Sequence, residues 1–122
     1  MIRVHFARLA VPWLLVLLTA GCAIIENDGK IGMVKGVENA SLDRTYDATL
    51  KALEAMEFEV RRHNKDALVA QIEAYTADRK KITVDLDKEA EESTRVGIHI
   101  EPFGDETRSN LILSEIEKQL RQ

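Results

Sequence analysis

The clearest signal along this chain is a change of period. Between residues 43 and 56, Tyr46, Leu50, Leu53 and Met56 recur at steps of three and four, with Thr49 on the same side. Arg44, Lys51 and Glu54 fall opposite. That spacing predicts an amphipathic helix, and either Ser41 or Asp43 can offer a side-chain oxygen to its unpaired first N–H groups. The period then drops to two. Phe58 and Val60 alternate with Glu59 and Arg61, and Asn64-Lys65-Asp66 reads as a turn. Leu68, Ala70, Ile72 and Ala74 share one face against Val69, Gln71, Glu73 and Tyr75. After a turn over residues 76–80, Ile82, Val84 and Leu86 oppose Lys81, Thr83, Asp85 and Asp87. A charged stretch at 88–93 (KEAEES) reads as a connection to Val96, Ile98 and Ile100, which alternate with Arg95, Gly97 and His99. Strands with one apolar and one polar face predict an antiparallel meander.

The flanks complete the pattern. Residues 34–42 form a weaker strand, in which Val37 is apolar but Gly36 and Asn39 dilute the alternation. Beyond Ile100, Pro102 blocks further pairing, Gly104 permits a turn and Asp105 can cap a last helix, with Glu106 favourable near its positive end. Ile112, Ile116 and Leu120 form that helix's apolar stripe, widened by Ser109 and Leu113. The order is strand, helix, four strands, helix. Both helices and the sheet are one-sided, so each covers the other. The expected fold is α+β: a two-layer sandwich with an antiparallel sheet of four to five strands against two helices, over residues 34–122. A chain of 122 residues has room for one such domain.

The N-terminal segment has a different character. Arg3 and Arg8 precede an apolar run at residues 9–20 (LAVPWLLVLLTA), of the length of a signal-peptide core. An uncleaved membrane helix through Ile25 would be at the short limit for spanning and would contain Pro12 and Gly21. The run ends in Leu18-Thr19-Ala20-Gly21-Cys22, which resembles the lipobox of bacterial lipoprotein precursors. By that resemblance the Cys22 thiol receives a diacylglyceryl group, the chain is cleaved between Gly21 and Cys22, and the new amino terminus is acylated, palmitate being a typical chain. Residues 1–21 are then a signal peptide, 22–33 a lipidated tether and 34–122 the domain. A single acyl chain binds a bilayer only marginally, whereas two or more hold it durably. In such lipoproteins an Asp after the cysteine retains the protein at the inner membrane. Ala23 stands there, which implies the outer membrane, with the domain in the periplasm.

Charge and cysteine usage agree with this picture. The net charge is −4 for the whole chain. Residues 1–21 hold two of the 17 basic residues and none of the 21 acidic ones, so removing them leaves about −6. An acidic domain argues against a nucleic-acid backbone or an anionic membrane surface as the main partner, because both repel it. Cys22 is the only cysteine, so no disulfide forms within the chain and the core holds by packing.

Few residues suggest site chemistry. His63 and His99 fall on polar strand faces and could bind a metal beside Glu59 or Glu101 only if their strands were neighbours. Asp85 and Asp87 share a face near Glu73 and Glu101. An acid–base pair would need one of them buried, whereas Lys81 and Arg95 nearby favour cross-strand ion pairs. Phe103-Gly104-Asp105-Glu106 is explained by an aromatic packing inward, a glycine turn and a cap. There is no G-x-S-x-G nucleophile motif and no glycine-rich phosphate loop. Past the signal segment only Tyr46, Phe58, Tyr75 and Phe103 are aromatic. No catalytic residue, cofactor or metal is expected.

With Val34-Lys35-Gly36 before the first helix, Lys65-Asp66-Ala67-Leu68 in the hairpin and Phe103-Gly104-Asp105-Glu106 before the last helix, the chain resembles a family of small bacterial lipoproteins classed only as a domain of unknown function. The likeness covers nearly the whole chain. It implies a lipobox, this order of elements and no catalytic residue to carry over. The expected function is a non-enzymatic interaction or structural module of the cell envelope, anchored through lipid on Cys22 and docking on another envelope protein. The alternative is a periplasmic carrier or sensor of a small apolar ligand, held in space left by Ala70 and Ala74.

Overall fold

A computed structural model describes residues 32–122. Gly21, Cys22 and the rest of the signal peptide and tether up to residue 31 lie outside the described residues. The elements are β1 (Val34–Glu38), α1 (Leu42–Ala55), β2 (Glu59–Lys65), β3 (Val69–Tyr75), β4 (Lys81–Ala90), β5 (Ser93–Ile100) and α2 (Glu106–Leu120). The five strands form one antiparallel sheet in the order β1-β5-β4-β3-β2. The α+β fold and its order are those expected. β1 closes the sheet as a fifth strand beside β5.

Alternation decides which way the sheet faces. Ile72, Ala74, Ile82, Val84, Leu86, Val96 and Ile98 are fully buried on the side covered by the helices. α1 packs over β2 to β5, while α2 packs against α1 and covers β1 and β5. Ala52, Leu53, Ile112 and Ile116 complete the core from the helix side. Each large aliphatic side chain buried this way stabilises the fold by roughly 1.5–3 kcal/mol before the entropy of ordering it. Ala70 and Ala74 belong to this same packed cluster.

Local chemistry sets the helix ends. Ser41 is the N-cap of α1, its Oγ accepting from Arg44 N at 3.2 Å. At the other end Glu57 N–H donates to Glu54 O and Phe58 N–H to Leu53 O, both at 2.9 Å. This pair of bonds is the Schellman closure. Glu57 takes the left-handed position that glycine usually fills, with φ 63°. Phe58 therefore belongs to the helix terminus, and β2 starts one residue later. Asp105 caps α2 as expected, accepting from Arg108 N at 3.0 Å.

Four local expectations are corrected. β2 continues through Asn64 and Lys65, and the turn falls at Asp66, whose carboxylate accepts from Leu68 N and Val69 N at 2.8 and 3.0 Å. Leu68 sits at that turn, 64% exposed, instead of on the inner face. The charged stretch at 88–93 is mostly strand, since β4 runs to Ala90 opposite Ser93 and only Glu91 and Glu92 turn. Its side chains stay solvated as a strand pairs, so charge did not prevent pairing. In β1, Val34, Gly36 and Glu38 lie opposite the inner-face residues Ile98, Val96 and Thr94. Val37 consequently faces out, and Glu38 is the buried residue.

Gly32 and Met33, assigned from sequence to the tether, already pack on the domain. Gly32 (φ 74°) and Gly104 (φ 87°) press backbone to backbone, and a Cβ on Gly104 would lie 2.6 Å from Gly32 Cα. Only glycine fits either side of so close an approach.

Candidate functional site

The helices cover one face of the sheet, and among the described residues no second layer covers the other. Across this open face one register row crosses all five strands: Lys35, Gly97, Asp85, Gln71 and Asn64. Gly97, between Lys35 and Asp85, contributes no side chain to the row. The result is a hollow of about 370 Å³, walled by Lys35, Gln71, Asp85, Asp87 and Arg95 and roofed at one side by Met33. A Cβ at Gly97 would come within 3.2 Å of Met33 Sδ, so the methionine rests on the bare glycine.

The charges on this face are paired across strands. Lys81 Nζ meets Glu73 at 2.8 Å, and Arg62 reaches the same carboxylate at 3.5 Å. The hydrogen bond from Lys81 holds the Glu73 carboxyl below its ordinary range, and that bond in turn raises Lys81. Arg95 pairs with Glu89. Gln71 Nε2 donates to Asp85 at 2.9 Å. Asp87 lies opposite Arg95 in the register. The carboxylates therefore sit on the solvated face among cations and amide donors, the arrangement expected of cross-strand pairs.

The two histidines are not brought together. β2 and β5 are separated by β3 and β4, so the condition for a shared metal fails. They also face opposite ways. A register shift between Val60 and Arg62 inserts one extra residue into β2 and turns His63 onto the helix side, opposite Ile72. There its Nδ1 is 2.6 Å from Tyr46 Oη. His99 stays on the open face opposite Thr83. Among the described residues, no group of three metal-binding side chains converges.

The bulge builds a feature that periodicity does not reveal. Tyr46, His63, Lys65 and Asp43 join α1 to the edge strand: Lys65 pairs with Asp43 and lies 5.7 Å from the Tyr46 ring centre. Beside them a flank groove of about 580 Å³ runs along Leu50, Phe58 and Val60, bordered by Glu54, Glu57 and His63. Tyr46 was legible as a core position, but its hydroxyl partner depends on the extra residue in β2.

Phe103 corrects another expectation. It points outward and is 76% exposed, while its carbonyl packs against Gly32. The loop is built by its backbone and by the Asp105 cap, so an inward-packing aromatic is not what the motif supplies.

Among the described residues, Glu38 is the one acidic side chain buried on the inner face. Burial, then the charge and hydrogen bond of Glu117, raise its carboxyl from an ordinary 4.5 to about 7, with Arg121 acting in the other direction.

The comparisons with known proteins reach the same limit as the geometry. No curated protein matches the chain. The family described as "Protein of unknown function (DUF3568)" matches residues 6–119.

Proposed function

The chain belongs to the DUF3568 family, whose function is unknown, and from that premise we propose a lipid-anchored envelope protein that acts by docking. In this reading Cys22 carries the lipid after cleavage at Gly21, and Ala23 directs the protein to the outer membrane. The open sheet face is the contact surface for another envelope protein. The observation that carries the docking part is the asymmetry of the sheet: a packed inner face and a polar, hollowed outer face with no covering layer among the described residues. Support for the anchor comes from the Leu18-Thr19-Ala20-Gly21-Cys22 stretch at the end of an apolar run. The family match begins at residue 6 and so includes that stretch.

Fractionation of a Cys22→Ala variant tests the anchor. The account predicts an uncleaved or soluble form without lipid. Normal membrane anchoring of that variant would contradict it. Organic extraction of the protein purified from cells, followed by mass spectrometry, tests the docking role against the carrier role. A tightly held apolar molecule would replace docking by carriage.

A further inference from the structure

The two ends of the sandwich differ. β4 runs from Lys81 to Ala90, which places its ends roughly 30 Å apart at about 3.3 Å per residue. At the Lys81 end, Glu101 N–H donates to Lys81 O at 2.9 Å, so the loop bearing Pro102 and Phe103 lies beside the turn at 76–80. Arg79, Lys80 and Lys81 share a surface depression with Glu101 and Pro102. Arg108, which reaches Asp78 at 3.3 Å, ties the start of α2 to the same turn. Gly32 is wedged at this end against Phe103 and Gly104, so the chain that leads back to Cys22 leaves from here. The opposite end carries the β4–β5 turn, where residues 87–92 hold Asp87, Glu89, Glu91 and Glu92 against Lys88 alone.

We propose that the tether end of the domain rests on the phospholipid bilayer, with Phe103 inserted at the headgroup level and Arg79 and Lys80 of the adjoining turn on anionic headgroups. The inference rests on the anchoring reading above and adds an orientation to it. Gly32 is ten residue steps from Cys22, a reach of at most about 34 Å, so a lipid on Cys22 holds this end near the surface. An exposed aromatic ring suits the interface, which takes up apolar rings that water excludes. Arg79 and Lys80 beside it are drawn to anionic lipid. The domain as a whole is acidic, and Asp78, Glu101, Asp105 and Glu106 offset the cations at this end, so the contact rests on the exposed ring, the short tether and the local Arg79-Lys80 pair. The strands then stand away from the membrane, and the open sheet face looks sideways into the periplasm.

A Phe103→Trp variant provides the probe, because Trp13 is the only tryptophan and lies in the segment assigned to the signal peptide. A Leu68→Trp variant places the same probe at the far end, where Lys88 N–H donates to Leu68 O at 2.8 Å. Both proteins are purified from membranes, their masses are read for lipid on Cys22, and they are reconstituted in phosphatidylethanolamine–phosphatidylglycerol vesicles with brominated acyl chains. The expected result is a lipid mass on both, blue-shifted and quenched emission from Trp at 103, and unquenched emission from Trp at 68. Arg79→Gln with Lys80→Gln should weaken the quenching at 103. Unchanged quenching in that background would remove the basic turn from the contact. A lipid mass with no quenching at 103 would overturn the docking and leave the anchor standing. Absence of the lipid mass would overturn the anchoring reading, and the docking with it.

Discussion

The two faces of the sheet are made from alternate residues of the same strands, yet they obey different rules. On the inner face Ile72, Val84 and Ile98 lie side by side in one register row and are fully buried. One row along, on the outer face, Gln71, Asp85 and Gly97 lie side by side around a hollow. Inner residues are selected by burial, which accepts few substitutes. Outer residues only need to keep the strands paired and soluble, which many sequences do.

This contrast is most easily broken at Ile98. Ile98→Asp puts a carboxylate among fully buried aliphatic groups, at a cost above about 4 kcal/mol, a large part of the total stability of a small domain. The variant should be unfolded by circular dichroism at 37 °C. A wild-type melting curve would mean the register is wrong.

Glu38 sharpens the comparison because it is an inner-face exception. Its carboxyl is raised to about 7 from 4.5, so the folded state holds the proton more tightly than the unfolded chain. Its stabilising contribution is fully present below pH 4.5 and is lost as pH rises through 7. Glu38→Gln should remove this dependence and stabilise the protein at pH 8 by about 1–3 kcal/mol. Denaturant midpoints at pH 5 and pH 8 measure it, and a variant with the wild-type pH profile would show that Glu38 is not the titrating group.

Tyr46→Phe comes next. It cuts the hydroxyl contact to His63 and should cost about 0.5–1.5 kcal/mol, with the imidazole resonances of His63 shifted in nuclear magnetic resonance spectra. Unshifted resonances would deny the contact. The smallest effect belongs to the outer face: Arg95→Gln, which removes an exposed ion pair with Glu89, should change stability by less than about 0.5 kcal/mol. A large loss of stability by chemical denaturation would mean the outer face is structural.

The same contrast explains what was legible in the sequence. The inner face was readable because its alternation is enforced by burial: Ala70 to Ala74, Ile82 to Leu86 and Val96 to Ile100 all face as their period predicts. The cap at Asp105 was readable because an N-terminal helix turn needs a short polar acceptor. His63 was misplaced because a bulge leaves no trace in composition, yet it reverses every later residue of the strand. Glu38 was missed because β1 is short and has only Val34 and Val37 as aliphatic residues, too weak a pattern to fix a face. Its direction is set by pairing with β5 and by α2, where Leu113 Cδ2 comes within 3.1 Å of where a Cβ on Gly36 would be. Phe103 was misread because its size suggested burial, whereas the loop is held by backbone contacts and a cap. The hollow at Gly97 was illegible in principle, since it exists only when five strands align one row.

The central claim is that the outer face is where this protein meets its partner. Site-specific photo-crosslinking in intact cells addresses it, with a photoactivatable residue at Gln71 or Arg95 on the open face and at Lys51 on the solvent side of α1. The account predicts a defined protein adduct from positions 71 and 95 and none from 51. Adducts from 51 alone, or from none of the three, would contradict it.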